Sequence, residues 1–173
     1  MTVRRTVRRL TRLAVVAAMA AVTGVLPASA KSSAEDFAFL YLNQGSGNGC
    51  LDLGSYASGS PVFLARCNGT LLSQKWTLLD NGLLRNKGAG NGCLDLTSYQ
   101  NGGQAVLTPC DDGRLSQQWV EEQLPGGPIV MLRSVGSGDG CLQFAAYTAG
   151  TPATLTRCAE DDPHQTWEVM WLG

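Results

Sequence analysis

Six cysteines stand at positions 50, 67, 93, 110, 141 and 158, so that each successive pair is separated by 17 residues. The same flanks surround every pair. Gly-Asn-Gly, Gly-Asn-Gly and Gly-Asp-Gly lead into Cys50-Leu51-Asp52-Leu53, Cys93-Leu94-Asp95-Leu96 and Cys141-Leu142-Gln143-Phe144. Tyr56, Tyr99 and Tyr147 lie six residues past the first cysteine of each copy. Gln74-Lys75-Trp76, Gln117-Gln118-Trp119 and Gln165-Thr166-Trp167 begin seven residues past the second. So many coincidences at fixed offsets make the chain three copies of one supersecondary unit of about 45 residues. The copies recur after 43 and then 48 residues. The five extra residues lie between Trp119 and Cys141, where Glu121 to Pro128 reads as a lengthened Pro/Gly-rich turn.

Each copy reads as four short strands. In the first these are Phe37 to Asn43, Cys50 to Leu53, Val62 to Cys67 and Lys75 to Leu79, separated by Gly/Ser/Pro/Asn turns. No later stretch keeps a capped helical period for two turns. Twelve such strands are individually too short to bury an apolar face and must share one core. The expected fold is therefore all-β, closed and pseudo-threefold, with Trp167 to Leu172 pairing with the first strand. A three-copy solenoid would need polar caps at its ends, and neither end looks like one.

Residues 1–30 read as a secretory signal. Arg4, Arg5, Arg8, Arg9 and Arg12 precede a short apolar run, Leu13 to Leu26, and the small-residue cleavage site Ala28-Ser29-Ala30. Residues 31–36 form a short tail, and the repeats span about 37–80, 81–124 and 125–173. Removing the leader takes five of the 13 Lys plus Arg and none of the 14 Asp plus Glu, leaving a net charge of −6. An acidic chain without basic clusters is a poor partner for nucleic acid or anionic membrane. No later run of apolar residues is long enough for membrane insertion. In an exported protein the cysteines form disulfides. Six allow fifteen connectivities, and the equal spacing makes Cys50–Cys67, Cys93–Cys110 and Cys141–Cys158 the simplest. Zinc ligation is disfavoured, because the chain has one His and no Cys-x-x-Cys. No metal or cofactor is expected.

The three Gln-x-Trp motifs, with their Cys-Leu-Asp-Leu-like segments, resemble the ricin-B-type β-trefoil lectins, also known as family 13 carbohydrate-binding modules. The resemblance covers about Phe37 to Gly173 and implies a β-trefoil. It also implies that Trp76, Trp119 and Trp167 pack in the core while each motif Gln bonds nearby backbone. In that family each sugar site takes the Asp of Cys-x-Asp, an aromatic two residues before the second Cys, and an Asn just before the motif Gln. Asp52 and Asp95 match, and strand alternation turns them outward. The third copy carries Gln143 instead. The aromatic position holds Ala65, Thr108 and Thr156, and the Asn position holds Ser73, Ser116 and His164. Gln74, Gln117 and Gln165 match beside it.

The family's stacking ring is thus missing in every copy. Tyr56, Tyr99 and Tyr147, in the loop that borders the pocket in such lectins, are the candidates to replace it. The candidate carbohydrate-binding set is Asp52, Tyr56 and Gln74; Asp95, Tyr99 and Gln117; and Gln143, Tyr147 and Gln165, with the third copy the weakest. The acidic runs Asp111-Asp112 and Glu160-Asp161-Asp162 lack calcium-loop spacing and read as solvated loops. No Gly-x-Ser-x-Gly or His-Glu-x-x-His is present, so no catalysis is expected. The resemblance implies a secreted lectin with saccharides or glycosylated surfaces as partners. The alternative is a trefoil that has drifted to a protein-binding or inhibitor-like role.

Overall fold

The computed structural model describes residues 37–172. The expected signal and tail, 1–30 and 31–36, lie outside the described residues. Twelve strands follow one another: β1 (Phe39–Asn43), β2 (Gly49–Leu53), β3 (Val62–Arg66), β4 (Trp76–Leu78), β5 (Leu84–Asn86), β6 (Gly92–Leu96), β7 (Ala105–Pro109), β8 (Trp119–Gln123), β9 (Ile129–Ser134), β10 (Gly140–Phe144), β11 (Ala153–Arg157) and β12 (Thr166–Trp171). The helical content is two single 3₁₀ turns among the described residues, Leu72–Gln74 and Leu115–Gln117, immediately before the Trp strands.

Six strands close a barrel. β1 pairs with β4, β4 with β5, β8 with β9, β9 with β12, and β12 returns to β1 through five antiparallel residue pairs from Phe39↔Trp171 to Asn43↔Trp167. The bridge Leu83↔Gln118 closes the remaining gap between β5 and β8. The other six strands form three hairpins, β2–β3, β6–β7 and β10–β11. These meet in a triangular cap through the bridges Pro61↔Val106, Phe63↔Pro152 and Gln104↔Thr154. A closed barrel leaves no open sheet edge, which is how such short strands remain stable. The result is the expected pseudo-threefold β-trefoil.

Alternation along the strands fills the common core with Leu51, Leu64, Leu94, Leu107, Leu142 and Leu155, and Trp76, Trp119 and Trp167 lie beneath them, all buried. The bridges Cys50–Cys67, Cys93–Cys110 and Cys141–Cys158 each clamp one hairpin to the loop that follows it. Closing a loop of this length stabilises by about 3 kcal/mol in the chain-entropy account. The repeated Gly-x-Gly before the first cysteine has two separate causes. Gly47, Gly90 and Gly138 adopt φ of 68°, 65° and 77°, a left-handed turn that side chains disfavour. Gly49, Gly92 and Gly140 lie under leucines, and a Cβ there would meet Leu64, Leu107 or Leu155 at 2.5, 2.8 and 2.8 Å.

The insertion in the third copy differs from the expected turn. Glu121, Glu122 and Gln123 belong to β8, paired with Leu132, Met131 and Val130, and only residues 124–128 turn. The extra residues lengthen a hairpin, and an acidic outer strand surface resembles a loop in sequence. Glu121 also accepts a hydrogen bond from the buried Tyr41 hydroxyl.

Candidate functional site

Each motif glutamine is buried and staples the loop that follows its disulfide. Gln74 Oε1 accepts the Asn68 amide at 2.6 Å, while Nε2 donates to the Arg66 carbonyl at 2.9 Å and to Asp52 Oδ2 at 2.8 Å. Both N–H groups of the amide are therefore committed inside the protein. Asp52 follows Leu51 on β2, so the pleat turns its carboxylate away from the core, to the floor of an open pocket. That pocket, of about 620 Å³, is lined by Asp52, Ala65, Arg66, Asn68, Leu71 and Gln74, among others. The Leu53 amide donates to Asp52 Oδ1 at 2.7 Å. Asp52 is only 7% exposed, since Gln74 folds over it. Leu71, 43% exposed, adds apolar surface at the rim. Phe63 stands directly opposite Asp52 in the β2–β3 register, half-buried on the same face.

The second copy is filled from within. Asp95 Oδ2 accepts the Thr108 hydroxyl at 2.7 Å, Gln117 Nε2 at 3.2 Å and Arg114 Nη1 at 3.2 Å. Burial raises its pKa, but hydrogen bonds from Ser116, Thr108, Gln117 and the Leu96 amide outweigh that effect and hold the carboxyl below its ordinary 3.8. The open cavity in this copy, about 590 Å³, lies further out, against Asp111, Asp112, Arg114 and Pro109.

The third copy obtains its carboxylate elsewhere. Gln143 is half-exposed on β10, and Gln165 Nε2 turns instead to the Arg157 carbonyl at 3.0 Å and Asp162 Oδ2 at 3.4 Å. Asp162 Oδ1 lies 2.9 Å from His164 Nδ1. For Asp162 too, desolvation raises the pKa, and the His164 amide and ring together with Gln165 bring it below 3.8. One column of the repeat, three residues before the motif Gln, therefore separates the copies: Leu71, Arg114 and Asp162. Leucine leaves the strand carboxylate open, arginine caps it, and aspartate substitutes for it. Comparing that column across copies is the sequence signal that finds Asp162.

The depressed acids set a pH dependence. An acid whose folded pKa lies below its unfolded value contributes stability that is complete above the unfolded pKa and lost as pH falls through the folded one. Wild-type stability should decline as pH falls below 3.8, the ordinary value for Asp95 and Asp162. Urea titrations from about pH 5 to pH 2.5 check this. Asp95→Asn should flatten the acid limb; an unchanged slope contradicts the assignment.

Tyr56 and Tyr99 do not line the open cavities beside Asp52 and Arg114 in their own copies, whereas Tyr147 stands next to its own copy's Asp162 through His164. Each lies partly exposed in a cleft against the next copy, the third meeting the first. A Cβ on Gly88, Gly136 or Gly45 would meet the hydroxyl of Tyr56, Tyr99 or Tyr147 at 2.4, 2.4 and 1.9 Å respectively. Tyr147 also stacks on His164, with ring centroids 4.4 Å apart and planes 9° from parallel. Its phenol is raised above its ordinary pKa, by burial first and the Asp162 charge second. Among the described residues no His/Cys/Asp/Glu group is placed to hold a metal ion, and no helix is long and apolar enough to cross a membrane.

The family described as Ricin-type beta-trefoil lectin domain matches residues 38–124, half of the chain and its first two copies. The chain belongs to this family. No curated protein matches it. Among solved structures it is similar to a designed threefold-symmetric protein, ThreeFoil, with a TM-score of 0.70 at 22% identity, over 77% of this chain and 97% of that one. It is also similar to the C-half of an earthworm R-type lectin in complex with GalNAc, with a TM-score of 0.62 at 18% identity, over 78% and 98%. An exo-β-1,3-galactanase from Clostridium thermocellum matches with a TM-score of 0.69 at 23% identity, over 78% of this chain but 30% of the enzyme. At these identities the structural likeness establishes the trefoil, and the family match makes it a carbohydrate-binding type of module.

Proposed function

We propose that the chain is a secreted, non-catalytic lectin module that takes glycans in shallow surface pockets, with the first copy's pocket foremost. The supporting observation is the residual acceptor capacity of Asp52. A carboxylate offers about four lone-pair sites. Two are used, by Leu53 and Gln74, so neighbouring sugar hydroxyls can share the rest in charge-assisted bonds. Asp95 Oδ2 is already crowded by three donors, and its Oδ1, though without a close partner among the described residues, is sealed from solvent. In the third copy Asp162 takes the acidic role alongside Gln143, Gln165 and Tyr147. Gln74, Gln117 and Gln165 act by positioning the loops and acids.

Secretion is supported by the three disulfides, which persist in oxidising compartments, and by the leader-like residues 1–30. The lectin domain then spans 37–173. A non-catalytic role is supported by the pocket itself, where Asp52 is the lone carboxylate, whereas glycoside hydrolysis ordinarily uses two. His164 is tied to Asp162. Saccharides on polymers or glycosylated surfaces are the partners; the net acidity argues against nucleic acid.

The test is isothermal titration of the chain from Lys31 onward with galactose, xylose and glucose, their oligomers, and the corresponding polysaccharides, alongside a glycan array. The expected result is on the order of millimolar affinity per site, tightening about a hundredfold on a polymer that engages several sites. No sugar should be released from any oligomer. Absence of binding to every saccharide overturns the proposal in favour of a protein partner.

A further inference from the structure

Ala65 and Arg66 line two cavities at once. One is the Asp52 pocket of the first copy. The other, about 270 Å³, is the inter-copy cleft beneath Tyr147 of the third copy, with Leu64 and Asn48 also in its lining. The two cavities are therefore neighbours across a single stretch of β3, with Ala65 and Arg66 common to both linings. We infer that together they form one track for an extended glycan, in which Asp52 holds one sugar unit and Tyr147 packs on the next.

The chemistry of the second cavity fits a pyranose. His164 stacks on one face of the Tyr147 ring, while the residue is still 39% exposed and lines the cavity, which leaves surface for the ligand. Leu64 gives an apolar wall, Asn48 an amide able both to donate and to accept, and Arg66 a cation bordering both cavities. The position of the ring is fixed by backbone. Gly45 leaves room for the Tyr147 hydroxyl where any Cβ would collide with it, and the turn carrying Gly45 is held to the third copy by Gly45 N–H donating to Pro163 O at 3.2 Å and Asn43 Nδ2 donating to His164 O at 2.9 Å. The small residue at position 65 then has a physical role. A large ring there would stack one sugar and wall off the cleft; a methyl group lets a chain continue over it.

A monosaccharide meets only half of this track, whereas a trisaccharide spans both halves. The inference rests on the lectin reading of the Asp52 pocket, and the experiment separates the two. Galactose with β-1,3-galactotriose, xylose with xylotriose, and glucose with laminaritriose are titrated as pairs against wild type, Tyr147→Ala, Tyr147→Phe and Ala65→Trp. For the sugar that binds, the trisaccharide should be about tenfold tighter than the monosaccharide in wild type and in Tyr147→Phe. In Tyr147→Ala that ratio should fall to about twofold, the loss expected when an aromatic contact is removed. Ala65→Trp, which leaves Tyr147 in place and blocks the saddle, should collapse the ratio as well. A wild-type ratio near unity overturns the track while leaving the lectin reading standing, and so does a ratio that survives both Tyr147→Ala and Ala65→Trp. Failure of every saccharide to bind overturns both.

Discussion

Replacing Trp76 with alanine should lower the unfolding free energy by about 3–5 kcal/mol, the usual cost of emptying a buried aromatic site. Trp76 is fully buried within the cluster that includes Tyr41 and Leu51, and its indole N–H donates to the Leu51 carbonyl at 3.1 Å. The substitution therefore opens a cavity and removes a buried hydrogen bond together. Trp119 repeats the arrangement with Leu94, also at 3.1 Å, and should cost as much. Trp167 departs from it. Its N–H has no acceptor among the described residues, and the ring packs edge-on against Phe144 at 5.1 Å, where the other copies carry Leu53 and Leu96. Domains of this size are stable by roughly 5–15 kcal/mol, so the Trp76 change consumes about a fifth or more of the total. Trp171, 63% exposed, is the control, and its replacement by alanine should move stability by about 0.5 kcal/mol or less. Urea denaturation measures both. A Trp76→Ala midpoint close to wild type contradicts the core assignment.

The parts legible in sequence are those that threefold symmetry writes three times. Cysteine spacing carried the disulfides, and the Gln-x-Trp motif carried both the buried tryptophans and the loop staple. The closing strand is the exception, legible from the single apolar tail that follows Trp167. The remainder depends on contacts between copies or on departures from the repeat. The tyrosines recur at one offset, which suggests service to their own copy, yet each rests on a glycine of the following one. No local pattern encodes that pairing; only the cap geometry supplies it. The occupancy of each acid was hidden for a different reason. Asp52 and Asp95 sit in identical Cys-Leu-Asp-Leu segments, and what distinguishes them is Ala65 against Thr108 and Leu71 against Arg114, more than ten residues further along. A repeat alignment that marks identities passes over such columns because they vary.

Those columns yield the last expectation, a contrast between two isosteric substitutions. Asp52→Asn should lower glycan affinity about 10- to 100-fold, because hydrogen bonds to a charged partner contribute roughly 1.5–3 kcal/mol each. Its effect on folding should be smaller than that of Asp95→Asn, since Asn retains an oxygen for the Leu53 amide at 2.7 Å and gives up one bond, from Gln74 Nε2, which keeps the Arg66 carbonyl. Asp95→Asn should act chiefly on stability, by about 1–3 kcal/mol. Thr108, Gln117 and Arg114 all converge on Asp95 Oδ2 within 3.2 Å, and a neutral amide offers only one oxygen in place of the charge that holds them. Arg114 itself is more than half exposed, so most of the cost should come from Thr108 and Gln117, which are better shielded from solvent than the ion pair. Titration of both variants with the saccharide that wild type binds, together with urea midpoints at about pH 7, separates the two roles. If Asp95→Asn loses as much glycan affinity as Asp52→Asn, Arg114 does not close the second pocket, and the copies act as equals.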